Sequence, residues 1–597
     1  MDGPIASCVA EMTPAPLRIL LLCHSFNSLS QRLFCALRAL GHEVSVELDI
    51  ADRVTEEAIE LFRPALVIAP FLKRLIQPSV WQRQPCLVVH PGPVGDRGPA
   101  ALDWAVCESE PAWGVTVLQA NEAFDAGPVW AHADFAMRAA AKGSLYRREV
   151  TEAAVDAVLR AVAVFAAGGP GGESPAQPTA STWRGPLPQA ERCIDWSKDQ
   201  TATVLAKIRS ADGHPGVQDE LFGQPCRVFD AHAATPDALD TSPPGALIGR
   251  RDGAVLRRTI DGAVWIGHAS LAAPCGGKAF KLPCDLAFGA AFEALPAMNV
   301  PLERASGDWG EIRYQEFGAP GARVGCLSFE FYNGAMSTAQ CRRLLAAWHE
   351  AAARDTRVLL LTGGADFFSN GIHLNCIEAA SYREDDSAAD ESMRNIEAMD
   401  DLAEAVIRTT DRLTIALLRG NAGAGGAFLA LAADEVWAHR GVVLNPHYKN
   451  MGNLYGSEYW TYLLPRRLGD EGAAALMKGR LPLGAPQALS IGLIDRCMDV
   501  AATEFEALAI THATALAAAH NVEQRIAAKA RRRSADETAR PLADYRLHEL
   551  SRMHRNFYGF DPSFHVARYH FVHKLPMAWT PRHLARHRDG MNAASAG

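Results

Sequence analysis

Val88-Val89-His90-Pro91-Gly92-Pro93 is a β-branched run that ends in a His-Pro-Gly loop. A second glycine-bearing loop follows, Phe124-Asp125-Ala126-Gly127-Pro128. A strand running into a loop histidine, with an aspartate on a neighbouring loop, is a common way to build a proton-handling pair. Working outward, residues 17–22 form an apolar strand pattern. They lead into the polar loop His24-Ser25-Phe26-Asn27-Ser28 and a helical pattern over 30–40, closed by Gly41. Residues 44–48 alternate like a strand, and 65–69 and 86–89 read as short buried parallel strands. Strand–helix alternation of this kind means an open α/β sheet. The loop after the first strand lacks G-x-G-x-x-G, so a dinucleotide site is not expected.

The run continues as Arg97-Gly98-Pro99-Ala100-Ala101-Leu102-Asp103-Trp104 and Trp113-Gly114-Val115-Thr116. It resembles the catalytic half of the 10-formyltetrahydrofolate-dependent formyltransferases. Attack on a formyl amide passes through a tetrahedral oxyanion and needs an acid/base group near neutral pKa with a partner that orients it. The resemblance implies His90 as that acid/base and Asp125 as the orienting carboxylate. It places Phe71, Leu72 and Leu75 where relatives bind the pterin ring. One position departs from the pattern. Relatives carry Asn two residues before the histidine, where this chain has Val88. Such an oxyanion donor is worth about 2.7–4 kcal/mol, so a substitute is expected from backbone N–H groups or from Arg97.

Residues 166–188 are rich in Gly, Pro, Ser and Thr and read as a linker. Cys193-Ile194-Asp195-Trp196-Ser197, a helix ending near Arg209, His214-Pro215-Gly216 and strand patterns at 226–229 and 254–259 follow. This block is similar to the small C-terminal β-barrel (OB-like) domain of formyltransferases. A second break lies around 286–301. Beyond it come strands at 324–331, 358–362 and 414–418, with Ser337 as an N-cap. The loop Phe368-Ser369-Asn370-Gly371-Ile372 and the glycine-rich Gly420-Asn421-Ala422-Gly423-Ala424-Gly425-Gly426 stand after the last two. That order and spacing resemble the crotonases (enoyl-CoA hydratase/isomerase family).

The crotonase resemblance implies that the N–H groups of Ile372 and Gly425 polarise a thioester carbonyl, and that Lys574 meets CoA phosphates. The two glutamates of hydratases are absent: Phe428 and His447 stand there. Water addition is therefore not expected. Glu458, read as the start of a helix, is the candidate base and Tyr448 the donor or positioning group; the two roles are interchangeable at this point.

The chain is thus expected to be a multidomain α/β protein. It would have a formyltransferase-like open sheet over 1–170, a formyltransferase C-terminal-like β-barrel over 183–295 and a crotonase-like domain with helical C-terminus over 305–597. The combination is similar to the hydrogenase maturation factors of the HypX/HoxX family. It implies formyl transfer from 10-formyltetrahydrofolate to coenzyme A and decarbonylation of formyl-CoA to CO, with hydrogenase maturation proteins as possible partners. Two other readings stay open: a formyltransferase for another amine acceptor with an accessory CoA-binding domain, and a non-catalytic maturation scaffold.

Composition narrows the classes. A net charge of −9 argues against nucleic acid. No apolar run approaches the roughly 18 residues that cross a bilayer, and residues 1–16 lack a basic signal-like start. The 13 cysteines are scattered, as in a reduced cytoplasmic protein. His548, His554, His565, His570 and His573 fit no metal-ligand spacing, and no metal is expected. The basic stretch Arg525, Lys529, Arg531, Arg532 and Arg533 reads as a solvated helix face.

Overall fold

The computed structural model describes residues 15–169, 181–234, 241–272, 278–304, 307 and 309–589. Residues 170–180 of the expected linker lie outside the described residues. The first sheet has the order Glu43–Leu48, Arg18–Cys23, Leu66–Phe71, Cys86–His90, Ala112–Gln119, Val129–Ala136. The first four strands are parallel and the last two antiparallel. Its inner strands are buried along almost their whole length because helices cover both faces. Leu33 and Leu37 of helix Ser28–Ala39 pack on one side, and Ala58 and Phe62 of helix Asp52–Phe62 on the other. Helix Ser28–Ala39 starts two residues before the apolar pattern suggests, because the Asn27 side chain accepts the Ser30 N–H at 3.0 Å and caps it.

The second sheet is antiparallel, in the order Leu247–Arg251, Ala254–Arg258, Ala263–Leu271, Gln224–Ala233, Val217–Leu221. The third has the order Ile312–Phe317, Val324–Phe329, Val358–Thr362, Leu413–Leu418, Glu435–His439, Arg496–Met498, parallel after its first pair. A smaller sheet, Phe367–Ser369, Asn421–Gly423, Val443–Asn445 and Leu483–Gly484, lies beyond the ends of these strands. It carries both glycine loops. Ser337 caps helix Thr338–Ala352 in a reciprocal box with Gln340.

The C-terminal helices are not a solvated appendage. Lys529 and Arg533 are buried. Lys529 pairs with Asp434 at 2.6 Å, and Arg525 and Arg533 pair with Glu435 and Glu537. The expectation of a solvated face holds only for Arg531 and Arg532. It fails elsewhere because Asp434 and Glu435, at the start of a neighbouring strand, receive Lys529 and Arg525, while Glu537 on the same helix receives Arg533. The histidines are engaged singly: His548 with Tyr455, His565 with the Phe557 carbonyl and His573 with Glu378. The last described segment returns to the first sheet. The Val46 N–H donates to Leu584 O at 3.0 Å, and His587 Nε2 lies 2.8 Å from Glu47 Oε2. The exposed side of edge strand Glu43–Leu48 is thereby covered. Among the described residues, no helix is long and apolar enough to cross a membrane.

Candidate active sites

Strand Cys86–His90 delivers His90, buried, at its C-terminal end. Side chains alternate along a strand, so Val88 shares the face of His90 and presents an isopropyl group there. The Pro91 and Gly92 carbonyls are fixed by Trp113 Nε1 and Thr116 Oγ1, at 2.9 and 2.8 Å. Gly92 must lack a side chain, since a Cβ would fall 2.8 Å from His90 Cδ2. His90 Nδ1 lies 3.3 Å from Asp125 Oδ2, so the structure brings the expected pair together. It also shows a partner that sequence reasoning missed. Asp96 Oδ2 lies 2.8 Å from His90 Nε2. Asp96 is held in turn by Arg184, whose Nε donates to Oδ1 at 2.9 Å. Arg184 reaches it because Asp96–Arg97 pairs in parallel with Thr182–Trp183. The signal available in the sequence was an acid in the same loop, six residues after the histidine.

Both ring nitrogens of His90 therefore face carboxylates. To act as acid or base, the ring must exchange one of them for substrate. The geometry favours Asp125 as the exchangeable side. Its contact is longer, and it sits in a left-handed residue (φ 48°) tethered by the Gly98 N–H at 3.0 Å. Arg97 does not reach this centre with its Nε, which donates to Phe124 O at 2.8 Å and so fixes the Asp125 loop. The three pterin-site candidates are not gathered. Phe71 packs edge-on against His24 and Tyr146, whereas Leu72 and Leu75 line a small cavity with Leu22, Asp49 and Val80.

In the third sheet region the two glycine loops meet. A Cβ on Gly371 (φ 81°) would lie 3.2 Å from Gly425 N, so the Gly371-Ile372 backbone runs against the start of helix Gly425–Leu431. The first N–H groups of a helix lack internal acceptors, which leaves Gly425 N–H available to an oxyanion. Glu458 comes to the same spot: a Cβ on Gly425 would lie 2.7 Å from its Cδ. Tyr448 donates its hydroxyl proton to Glu458 Oε2 and has Ser457 O at 2.8 Å. Its ring stacks on Phe428, with centroids 5.2 Å apart and planes at 11°. Gly456 (φ 102°) permits this, since a Cβ there would meet the Tyr448 ring at 2.9 Å from Cζ.

Glu458 is not the first residue of a helix, as the sequence suggests. It is buried and left-handed (φ 58°), followed by a left-handed Tyr459, and the helix begins at Trp460. Its carboxyl is governed by burial, which pushes it up to about 7 against the lowering hydrogen bond from Tyr448. Burial raises the Tyr448 hydroxyl well above its usual range, and the Glu458 charge adds to this. His447 is buried with neither ring nitrogen hydrogen-bonded among the described residues, and burial lowers it to about 4. It is neutral near pH 7.

Three cations from separate segments stand near one another: Arg147 in the short helix Tyr146–Val150, Lys281 just before strand Leu282–Pro283 and Lys574 just after helix Ser563–Val572. Arg147 bonds Asp366 and Asn333, at 3.2 and 2.8 Å. Lys281 donates to Tyr332 Oη at 3.0 Å, and burial lowers it to about 8, with Lys574 and Arg147 among the charges that act on it. Lys574, the expected phosphate anchor, lies over the Phe571 ring at 4.3 Å and within the field of Lys278. Arg147 and Lys281 went unread because neither stands in a local motif.

Two domain families match the chain: "Formyl transferase, C-terminal domain" over residues 186–280 and "Enoyl-CoA hydratase/isomerase" over residues 332–582. The hydrogenase maturation factor HoxX of Bradyrhizobium diazoefficiens is 55% identical over 578 residues, 96% of this chain and 97% of that protein. The crystal structure of HypX from Aquifex aeolicus in complex with tetrahydrofolic acid matches with a TM-score of 0.89 at 44% identity, covering 96% of this chain and 99% of that one. With this identity along nearly its whole length, and with a formyltransferase part joined to an enoyl-CoA hydratase/isomerase part, the chain belongs to the HypX/HoxX hydrogenase maturation factors.

Proposed function

We propose that this protein makes carbon monoxide for hydrogenase maturation in two steps. Formyl passes from 10-formyltetrahydrofolate to the thiol of coenzyme A at the His90 centre, and formyl-CoA is then split to CO and CoA at the Glu458 centre. The relative bound to tetrahydrofolic acid supports the first donor. The observation that carries the reading is the Tyr448–Glu458 pair, buried against Gly425.

At the first centre His90 relays the thiol proton while Asp96 holds the ring plane. At the second, the Gly425 and Ile372 N–H groups steady the thioester oxygen. Glu458, in its ionised form, takes the formyl proton as the C–S bond breaks. Tyr448 gives its proton to the departing sulfur and recovers one from Glu458 through their hydrogen bond. The C–H and C–S bonds are lost, an S–H bond and CO are formed, and no net proton is released. Phe428 walls the pocket and disfavours water, whose attack would give formate instead. Arg147, Lys281 and Lys574 supply positive charge for the CoA phosphates.

The test is a labelled-formyl balance among CO, formate and thioester with purified protein, 10-formyltetrahydrofolate and CoA. Glu458→Gln should stop CO while thioester or formate accumulates. Unchanged CO in both Glu458→Gln and Tyr448→Phe overturns the assignment.

A further inference from the structure

Glu458 and Tyr459 are consecutive left-handed residues, at φ 58° and 59°, with no glycine to ease the conformation. Each such residue costs on the order of 1–2 kcal/mol, so a buried pair persists only where the surroundings hold it. Two carboxyls from separate helices do so. Asp400, on helix Ala388–Arg408, accepts the Glu458 N–H at 2.7 Å on Oδ1. Glu549, on helix Leu542–Tyr558, accepts the Tyr459 N–H at 2.9 Å and the Thr461 N–H at 2.8 Å. Asp400 and Glu549 are both 0% exposed. Asp400 Oδ2 has no hydrogen-bond partner among the described residues, and Arg546 Nε stands 3.9 Å from it.

We propose that Asp400 and Glu549 are positioning residues for the second centre, and that together they hold the strained Glu458-Tyr459 backbone so that the Glu458 carboxyl faces Gly425. The inference rests on the proposed role of Glu458. Asp400 works as a neutral acid. An ionised Asp400 would set a negative charge beside Glu458 with only Arg546 Nε, 3.9 Å from Oδ2, to offset it, and burial raises its pKa well above the usual carboxylate range, with the Glu458 and Glu549 charges adding to this. A neutral Asp400 leaves Glu458 free to ionise first. The titratable and charged groups facing this pair are Tyr448, Tyr459, Glu549, Arg546 and the Cys341 thiol.

The division of labour is testable because an amide keeps the acceptor oxygen and loses only the ability to ionise. Asp400→Asn should retain CO release within about threefold and leave the acidic limb of its pH profile in place. Asp400→Leu removes the acceptor and should lower kcat for supplied formyl-CoA 10- to 100-fold with KM nearly unchanged. Glu549 accepts with both oxygens, Oε2 from the Tyr459 N–H and Oε1 from the Thr461 N–H, so Glu549→Gln keeps one acceptor and loses the other and should fall between Asp400→Asn and Asp400→Leu in kcat. Thermal melting and formyl transfer to CoA report the integrity of each variant. Should Asp400→Leu fail to fold, the Asn variant decides alone, since a shift of the acidic limb by a full pH unit, or a hundredfold loss, shows that Asp400 is ionised rather than a neutral holder. Full-rate CO release by a folded Asp400→Leu also overturns the proposal. Glu458→Gln, run in parallel, separates the two failures: if it too is fully active, the reading of the centre falls; if it alone is inactive, only the positioning role falls.

Discussion

Replacing Gly425 by alanine tests the second centre with a single methyl group. The space that methyl would take is already filled, at 2.7 Å from Glu458 Cδ and 3.0 Å from Oε2. Carbon atoms pack comfortably at about 3.5–4.0 Å, so Glu458 must retreat by roughly 1 Å. It has little freedom to do so, being buried and bonded through Tyr448 and its own N–H. A misplacement of about 1 Å costs on the order of 10²-fold in rate, and disturbance of the oxyanion donor beside it raises this toward 10³-fold, about 4 kcal/mol. CO release by Gly425→Ala should therefore fall 100- to 1000-fold while formyl transfer at His90 continues. The assay is stopped-flow detection of CO by a haem protein, with thioester and formate counted in the same samples. Adding Glu458→Asp shortens the side chain by one bond, about 1.5 Å, and makes room for the methyl. The double variant should recover at least tenfold over Gly425→Ala. The neighbouring Gly426 is a contrast: a Cβ there meets Ser369, 2.6 Å from its Cβ and closer still to its carbonyl group, so Gly426→Ala should impair folding rather than the product ratio. CO release within threefold of the parent in Gly425→Ala, or a double variant no faster than the single, refutes the placement of Glu458 as base.

His90→Ala should abolish formyl transfer yet still release CO from supplied formyl-CoA; a variant that transfers formyl at full rate removes His90 from the mechanism. Asp96→Asn should cost about 10–100-fold in transfer through lost ring orientation, and more than Asp125→Asn if Asp96 is the orienting partner; the reverse order in single-turnover rates would exchange the two roles. CO release should rise with pH through about 7 and level off above, because Glu458 must be ionised to act as base; a flat profile from pH 5.5 to 8 in single-turnover experiments argues for another base. Stability should move the other way. Burial raises Glu549 to about 8 and Glu458 to about 7 from an ordinary 4.5, so the folded chain binds more protons than the unfolded one in that window. The stabilisation is complete below pH 4.5 and is lost as pH rises through 7 and 8. Denaturant midpoints at pH 6 and 8.5 should show the decline, and Glu549→Gln should flatten it.

The layers were readable where information is local. Near-continuous apolar runs at 17–22 and 65–69 correspond to the strands Arg18–Cys23 and Leu66–Phe71. The two glycine loops were legible from their order and spacing, and the structure brings them together: a Cβ on Gly371 would lie 3.2 Å from Gly425 N. His90 was legible from its loop. What escaped was long-range pairing. Arg184 stands 88 residues from Asp96, and Glu549 stands 90 from Tyr459, and no periodicity encodes such partners. Glu458 shows a second kind of failure. Gly456-Ser457-Glu458 reads like a helix entrance, where an acid is exposed and dipole-stabilised. Two left-handed residues move the true entrance to Trp460 and turn the carboxyl inward. The basic C-terminal run failed for the same reason. Charge patterning marks a solvated face only when no acid waits on the packed side, and Asp434 waits for Lys529.

The change of chemistry at the second centre needs no new scaffold. Backbone groups at Ile372 and Gly425 belong to the loop geometry and persist whatever the side chains are, so in the proposed reaction they are the groups that would polarise the thioester carbonyl. What differs is where protons are handled. A hydratase must activate water and so keeps carboxylates on the helix and strand that border the pocket. Here one of those places holds Phe428, stacked on Tyr448, and the other holds a neutral, buried His447. In the proposed reaction the acid–base pair is carried on the loop from Tyr448 to Glu458, whose backbone is held by hydrogen bonds to helices Ala388–Arg408 and Leu542–Tyr558. A base raised to about 7 by burial in an apolar wall suits loss of CO, a small neutral product, better than water addition, which needs a hydrated pocket. On this view the C-terminal helix Leu542–Tyr558 is part of the catalytic apparatus, because without Glu549 the start of helix Trp460–Gly479 loses the acceptor for two of its N–H groups.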